Sequence, residues 1–394
     1  MSTASCKNGQ WNNVFDPADL TKEQQLVICQ SGTRDTMFEY TEVDGVMCET
    51  ACPSAEGIKR DPYVRSWAGD TSLHNGTDVG WPVDSDNVFT ITDTVETVAQ
   101  YNADSANTYK ITTSKPATGA DVFIHPSHTF VLDEDTAELN TLIIDGRLVI
   151  PIDRNLTIKA KFIWVRAGAI YFYDGSDINN EATLPADKTF TIELLGEKGD
   201  PTHMVGGDLS GSKMMVVTGY VNLKGSTPVT TKTFLSANAD AGTNTLSVDA
   251  RTGWQVGDQL VVSPSYKDRT EHEIVTIASM SGNDVTLDEN LAFNHYGSTN
   301  STSVVSNITS IPSLDTRARV THMTRNIRIT AGANVDWGFS FVVYRYTVGW
   351  DTNNDSTSDK FTERRGDVEL TGVQFINGGQ LDSTRSALVF QSTS

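Results

Sequence analysis

From about residue 119 onward the chain consists of short apolar segments separated by Gly, Asp and Pro, and this pattern limits the possible folds more than any other feature. Segments such as Asp121-Val-Phe-Ile, Phe162-Ile-Trp-Val and Thr245-Leu-Ser-Val are rich in β-branched and aromatic residues. No helical period of convincing length occurs between about 119 and 394, which argues against an α/β enzyme fold. The sequence therefore predicts an all-β chain.

Changes in composition divide the chain into five predicted regions. A polar module that contains the cysteines is followed by an irregular segment with short strands, a glycine-rich β domain, a small β meander and the start of a parallel β-helix. Their predicted bounds are 1–60, 61–115, 116–228, 229–300 and 301–394. The last strand-like segment, Ala387-Leu-Val-Phe-Gln391, would leave an open end on the stack. We therefore expect either a longer chain or closure by another subunit.

The cysteines lie close together in the sequence. All four, Cys6, Cys29, Cys48 and Cys52, fall within the first 52 residues. An even count in a short segment predicts two disulfides in an oxidising compartment, with the connectivity left open. A zinc site on Cys48 and Cys52 is the alternative, but no paired His follows at the spacing of a zinc finger.

Five glycosylation sequons point to the same compartment: Asn75, Asn155, Asn300, Asn307 and Asn354. The sequence has no apolar run near the ~18 residues that a membrane span requires, and its first residues contain no signal-peptide core. Either a signal was removed, or the sequence is a fragment, or the protein is cytosolic. We expect a secreted or cell-surface glycoprotein without a membrane span in this chain.

The charge balance excludes one class of partner. Lys and Arg total 30 against 50 Asp and Glu, so the formal net charge of -20 repels nucleic acid and anionic lipid. An acidic chain attracts cations, and one loop has the alternating oxygen side chains of a calcium site: Asp351, Asn353, Asp355 and Asp359. Ser356 stands where an EF-hand loop has Gly, so a solvated turn is the alternative. Calcium is the one cofactor that the sequence suggests.

Several glycine-bearing motifs follow one another in a fixed order. They include Pro116-Ala-Thr-Gly-Ala-Asp-Val-Phe-Ile124, Leu139-Asn-Thr-Leu-Ile-Ile-Asp-Gly-Arg-Leu148 and Phe162-Ile-Trp-Val-Arg-Ala-Gly168. A set of eight glycines can be traced through them: Gly119, Gly146, Gly168, Gly175, Gly196, Gly211, Gly219 and Gly225. Glycines at strand ends permit positive φ and close backbone approach, so they predict a fold and not a reaction.

These motifs resemble the eight-glycine (G8) domain of fibrocystin-like receptors, the cell-migration-inducing hyaluronidase and its transmembrane relative. Gly253-Trp-Gln-Val-Gly-Asp258 and Leu291-Ala-Phe-Asn-His-Tyr-Gly297 are similar to the stretch that follows the domain in that family, and Asp367–Gly379 resembles its β-helix entry. The resemblance implies a G8 domain stacked onto the coils of a right-handed parallel β-helix, with the disulfide-linked module before it.

The family does not decide the function, because its members include surface receptors and proteins implicated in hyaluronan breakdown. Our first hypothesis is an extracellular structural or adhesive glycoprotein, in a matrix, surface coat or filament, that binds glycans, proteins or copies of itself. A hyaluronidase-like enzyme and a receptor ectodomain are the alternatives. Asp133, Asp135, Asp145 and Asp153 are carboxylates in the β region, but none is assigned a catalytic role.

One pair of histidines has the spacing of metal ligands, and a third histidine is a candidate acid or base. His125 and His128 are spaced like a ligand pair, but period two along a strand would not place them on one face, so we expect structural roles. His295 follows an apolar strand and is expected to be a turn or packing residue.

Overall fold

The computed structural model describes most of the chain from residue 64 onward. The described residues are 64–69, 80–89, 95–105, 107–200, 203–205, 209–297, 315–332, 337–350, 360–381, 383 and 385–392.

The described elements are almost all strands. The helices are α1 (Val98–Ala103) and the 3-10 helix η1 (Arg269–Glu271). The strands are β1 (Val64–Ser66), β2 (Asn87–Phe89), β3 (Val95–Thr97), β4 (Asp121–Ile124), β5 (Thr129–Val131), β6 (Glu138–Ile144), β7 (Arg147–Pro151), β8 (Leu156–Val165), β9 (Ala169–Tyr173), β10 (Phe190–Leu194), β11 (His203–Val205), β12 (Leu209–Gly211), β13 (Met214–Val217), β14 (Tyr220–Lys224), β15 (Lys232–Phe234), β16 (Thr245–Ser247), β17 (Gln259–Val262), β18 (Glu273–Ser281), β19 (Asp284–Leu287), β20 (Arg319–His322), β21 (Ile327–Thr330), β22 (Ser340–Trp350), β23 (Lys360–Arg365), β24 (Asp367–Thr371), β25 (Val373–Ile376) and β26 (Leu388–Ser392).

The chain divides into two compact units. Met1–Gly225 and Asn326–Ser394 belong to the first, and Ser226–Arg325 forms the second. The second unit is therefore an insertion in the sequence of the first.

The first unit is built of successive coils whose strands pair in parallel on three sides. Side one contains the first half of β8, on which β10, β21 and β25 stack in that order. Side two contains β4, β6, the second half of β8, β13, β22 and β26. Side three contains β1, β5, β7, β9, β14 and β24. This connectivity is the one expected of a parallel β-helix.

In-register stacking sorts the side chains of side two into inner and outer rows, because successive residues of a strand point to opposite faces. One inner row consists of Ile124, Ile144, Val165 and Val217, all buried in the interior of the coils. The alternate residues form an outer row of Phe123, Ile143, Trp164 and Val216, which is also buried. An apolar outer row requires a cover, and residues of α1 and the segment 107–112 contribute to it.

Glycines occupy the corner where the chain passes from side two to side three. The amide of Ala169 donates to the carbonyl of Gly146 at 2.9 Å. One coil later the amide of Tyr220 donates to the carbonyl of Gly168, also at 2.9 Å. A methyl group on Gly168 would overlap the Gly146 carbonyl, and one on Gly219 would crowd that of Gly168. Glycine is required here because backbone lies directly above backbone.

The second unit is a separate antiparallel sheet in the order β15-β20-β17-β18-β19-β16. Its turn before β17 is closed by Asp258, whose carboxylate accepts hydrogen bonds from the Gln255 amide at 2.7 Å and from His322 Nε2 at 2.8 Å. Burial opposes ionisation of Asp258, but these two hydrogen bonds lower its pKa overall. The motif Gly253-Trp-Gln-Val-Gly-Asp258 therefore forms this turn. Its Trp254 donates from Nε1 to the Thr230 carbonyl at 2.6 Å, which ties the turn to the segment before β15.

The all-β class is confirmed, but the path of the coils differs from the expected one. Parallel pairing already begins with β1 and β4, inside regions that were expected to precede the β-helix. Arg319–His322, in the region predicted to open the coils, pairs antiparallel in the second unit instead. Coil strands and meander strands share the same length and composition, so the sequence does not reveal their partners. The handedness and the disulfide-linked module stay predictions.

The corner glycines yield a stability prediction. Gly168→Ala should lower the free energy of unfolding of the first unit by about 1–3 kcal/mol or more, because the clashing atoms belong to the backbone and cannot rotate away. Gly80→Ala is the matched control, since a methyl group there meets no atom closer than 3.8 Å. Chemical unfolding measures both variants. Equal stability of the two would show that the corner is not closely stacked.

Candidate ligand-binding groove

A groove of about 560 Å³ lies on the outer surface of side two. Its floor is formed by β4, β6 and β8, and its wall by residues 108–110, which follow α1 in the sequence. The lining residues are Thr108, Tyr109, Lys110, Asp121, Val122, Phe123, Asn140, Thr141, Ile143, Phe162 and Trp164. The volume falls within the range of about 300–1,000 Å³ that is usual for small-molecule sites.

The wall is held in place by the amides of two asparagines. Asn102, in α1, accepts from the Ile111 amide at 2.7 Å and donates to the Ile111 carbonyl at 3.1 Å. Asn107 donates to the carbonyl of Tyr101, also in α1, at 2.9 Å. These bonds fix both ends of the segment that contains Tyr109. A short helix therefore sets the position of one side of the groove.

Aromatic rings form the apolar part of the groove. Tyr109 and Phe123 lie with their ring centroids 5.6 Å apart. Trp164 lies two strands further along the sheet, with Ile143 of β6 between it and Phe123. The guanidinium of Arg166 lies 4.6 Å from the centre of the Tyr109 ring and 5.7 Å from that of Trp164. Its Nε donates to Asp145 at 2.8 Å, and both partners are buried. The Arg166 guanidinium, whose charge is balanced by Asp145, therefore packs against the rings of Tyr109 and Trp164.

The polar part of the groove lies on the rim. Asp121 accepts a hydrogen bond from Asn140 Nδ2 at 2.7 Å, and both side chains reach solvent. The parallel register of β4 and β6 brings this pair together across 19 residues of sequence. Lys110 stands on the wall and donates to the carbonyl of Asp104 at 2.7 Å. The groove therefore combines aromatic surface with a few polar groups that can orient a ligand.

The groove was not predicted from the sequence, although one signal pointed to it. The segment Phe162-Ile-Trp-Val is apolar at every position, whereas a strand with one solvent face would alternate. This pattern indicates that both faces of the strand are covered. Nothing in the sequence shows that residues 107–112 form the cover or that a groove remains beside them.

Most of the predicted site residues lie outside the described residues. This holds for Cys6, Cys29, Cys48 and Cys52, for the calcium loop with Asp351, Asn353, Asp355 and Asp359, and for the sequons at Asn75, Asn300, Asn307 and Asn354. Asn155 is described and exposed, and its Oδ1 accepts from the Thr189 amide at 2.9 Å. In the described ranges no three His, Cys, Asp or Glu side chains lie close enough to hold a metal. These assignments stay predictions.

The four carboxylates of the β region have structural partners and do not line the groove. Asp133 accepts from the Ala68 amide at 2.7 Å, and Asp135 from the Thr157 amide at 2.7 Å. Asp145 pairs with Arg166, as described above, and Asp153 pairs with Arg154 at 2.8 Å. Each carboxylate therefore ties a turn or a corner to the neighbouring coil or residue.

His125 and His128, in the first unit, are buried side by side in a turn. The His128 amide donates to the His125 carbonyl at 2.9 Å, and the two ring centroids are 5.8 Å apart. The expectation that the rings would not share a face was wrong, because a turn and not a strand connects them. His125 Nδ1 contacts Ser127 Oγ at 2.8 Å, and the His125 ring meets the edge of Tyr101.

His295, in the second unit, is buried and connects two segments through its ring nitrogens. Its Nδ1 lies 2.9 Å from the Ser263 carbonyl oxygen, and its Nε2 lies 2.6 Å from Glu273. Glu273 also accepts from the backbone amides of Ala292 and Phe293 at 2.6 and 3.1 Å. These contacts hold the strand β18 against the turn that precedes Gly297.

The parallel coils, the corner glycines and the covered outer face define a class of all-β coil proteins. The family model of the G8 domain matches residues 108–236, which include every residue that lines the groove. The chain is therefore a G8 domain protein, similar to fibrocystin-like receptors.

The curated relatives are much longer than this chain. Mouse (Mus musculus) fibrocystin-L is 29% identical over 273 residues, which cover 66% of this chain and 6% of the relative. Fibrocystin of the dog (Canis lupus familiaris) is 26% identical over 183 residues, covering 46% of this chain and 4% of the relative.

Among solved structures, the Gp54 tailspike of Acinetobacter baumannii bacteriophage AP22, in complex with A. baumannii capsular saccharide, is 17% identical. It covers 48% of this chain and 24% of its own, with a TM-score of 0.22. No helix in the described part of the chain is long and apolar enough to cross a membrane.

The buried histidine turn predicts a loss of stability in acid. Burial, and then the nearby charges of Arg65 and His125, hold the pKa of His128 well below its usual value of 6.5. The unfolded chain then binds a proton that the folded chain excludes, so stability is full above about pH 6.5 and falls as the pH drops below it. The midpoint of thermal unfolding of the first unit should decrease between about pH 7.5 and 5.5.

Two variants test whether His128 causes this pH dependence of stability. His128→Asn should weaken the pH dependence, whereas His272→Asn, at an exposed position of the second unit, should leave it unchanged. An unfolding midpoint of the first unit that is constant over this pH range would contradict the burial of a neutral His128.

Proposed function

We propose that this chain is an extracellular, receptor-like glycan-binding module whose G8 coils present the groove on side two to carbohydrate and thereby serve adhesion. The groove is the observation that carries the proposal. A sugar ring has an apolar face of C–H groups and an edge of hydroxyls, which suits aromatic side chains beside the Asp121 and Asn140 pair. The similarity to fibrocystin-L and fibrocystin supports a receptor-like role.

The carboxylate content of the groove favours binding over hydrolysis. Glycoside cleavage in most families uses two carboxyl groups on opposite sides of the scissile bond. Among the described residues that line the groove, Asp121 is the one carboxylate. The hyaluronidase-like alternative therefore gains no support from this site.

The proposal includes the features predicted from sequence, most of which concern residues outside the described ranges. Two disulfides among Cys6, Cys29, Cys48 and Cys52, and glycans on the five sequons, suit an extracellular protein. Calcium binding at Asp351–Asp359 and self-association of the coils belong to the same proposal. Electron microscopy and solution size measurements, with and without a calcium chelator, test both. Chelation should change the assembly state, and dispersed monomers in both conditions would refute self-association.

A glycan array with purified chain tests the main proposal. Tyr109→Ala should weaken binding of any glycan found by about tenfold or more, because it removes the half-buried ring of the groove wall. Asn140→Ala should weaken it less, since it removes a single polar contact and leaves the floor in place.

Tyr266→Ala is the matched control for this experiment. Tyr266 is 68% exposed and belongs to the second unit, so its loss should leave affinity unchanged. Circular dichroism of each variant confirms folding. Equal loss of affinity in Tyr109→Ala and Tyr266→Ala, or unchanged affinity in Tyr109→Ala, would exclude the groove as the binding site.

A further inference from the structure

The charges around the groove indicate which carbohydrates it accepts. We infer that the groove selects uncharged oligosaccharides over acidic ones, an inference that rests on the proposed function. Carbohydrates outside cells fall into neutral polymers and polymers that carry carboxylates or sulfates. A site distinguishes the two by whether it offers a cation to the acidic group.

Few cations are present at the groove. Among its described lining residues, Lys110 is the one cationic side chain, and Asp121 on the rim has the opposite charge. The Lys110 ammonium donates to the Asp104 carbonyl at 2.7 Å and is exposed, where solvent screens it. The lining thus has no net charge and no arginine fork for a carboxylate or sulfate.

Arg166, which packs against the Tyr109 ring, does not supply a free positive charge to the groove. Its Nε lies 2.8 and 3.0 Å from the two carboxylate oxygens of Asp145, so the guanidinium is already paired. Both side chains are buried, and the Tyr109 ring covers the guanidinium at 4.6 Å. An acidic sugar in the groove would give up hydration without gaining an ionic partner, which is costly for a charged group.

The rim fits the hydroxyls of an uncharged sugar. The Asp121 carboxylate accepts hydrogen bonds, and its pairing with Asn140 leaves its second oxygen for ligand hydroxyls. The Asn140 Nδ2 also donates to Thr141 Oγ1 at 3.4 Å, so its Oδ1 is the amide atom offered to a ligand. A carboxylate at this position repels an acidic ligand directly. The formal net charge of -20 adds a long-range field that slows the approach of polyanions.

Equilibrium binding to two matched sets of oligosaccharides tests the inference. One set is neutral, with cello-, xylo-, manno- and chito-oligosaccharides, and the other is acidic, with hyaluronan and galacturonan oligomers of the same lengths. The best neutral ligand should bind at least about tenfold more tightly than any acidic one at about 0.15 M salt. Its affinity should change little with salt, because no ion pair forms.

Asp121→Asn tests the origin of the selectivity. The substitution keeps the shape and removes the charge, so it should improve the relative affinity for acidic oligomers several-fold while the neutral ligand still binds. Asp240→Asn changes the net charge equally at an exposed site of the second unit and should leave the ratio unchanged.

The outcomes separate this inference from the proposed function. Acidic oligomers that bind more tightly than every neutral one, and lose affinity in Tyr109→Ala, would overturn the inference and retain the groove as a glycan site. Failure of both sets to bind would overturn the proposed function and the inference with it. Equal shifts of the ratio in Asp121→Asn and Asp240→Asn would show that net charge, and not the rim, sets the preference.

Discussion

Direct stacking of backbone on backbone at the corner between sides two and three is the constraint on which the first unit depends. The carbonyls of Gly146 and Gly168 accept amides of the following coil at 2.9 Å, and a side chain at Gly168 or Gly219 would block the approach. Because this corner repeats without a shift, Ile144, Val165 and their equivalents on later coils fall into continuous rows. The inner rows bury one apolar face of side two in the interior of the coils, and the outer rows form a second apolar face on the outside.

The same corner connects the interior to the groove. The Arg166 amide donates to the Ile144 carbonyl at 2.9 Å at the turn, while its side chain pairs with Asp145 one coil earlier. Thr218, on the next coil, donates to the Arg166 carbonyl at 2.7 Å and accepts from Trp164 Nε1 at 3.0 Å. Breaking a buried ion pair by removing one partner costs about 3–5 kcal/mol. The aromatic side of the groove is therefore tied to the stacking that forms the coils.

The sequence supports the class of fold but not the partners of the strands. Period-two and wholly apolar segments predict strands, and glycines such as Gly146 and Gly168 mark the turns between them. Antiparallel β20 and parallel β21 look alike as short β-rich segments, since pairing depends on contacts far away in sequence. Asp121 and Asn140 meet through register alone, so no local pattern could have identified them as one site.

In our proposal, coil stacking creates a carbohydrate site on the outer face of side two. A crystal structure of the chain with the tightest-binding neutral oligosaccharide tests it most directly. We expect a sugar ring against Tyr109 and Trp164, with its hydroxyls bonded to Asp121 and Asn140. A sugar bound to the second unit, or a groove filled by the protein's own side chains, would contradict it.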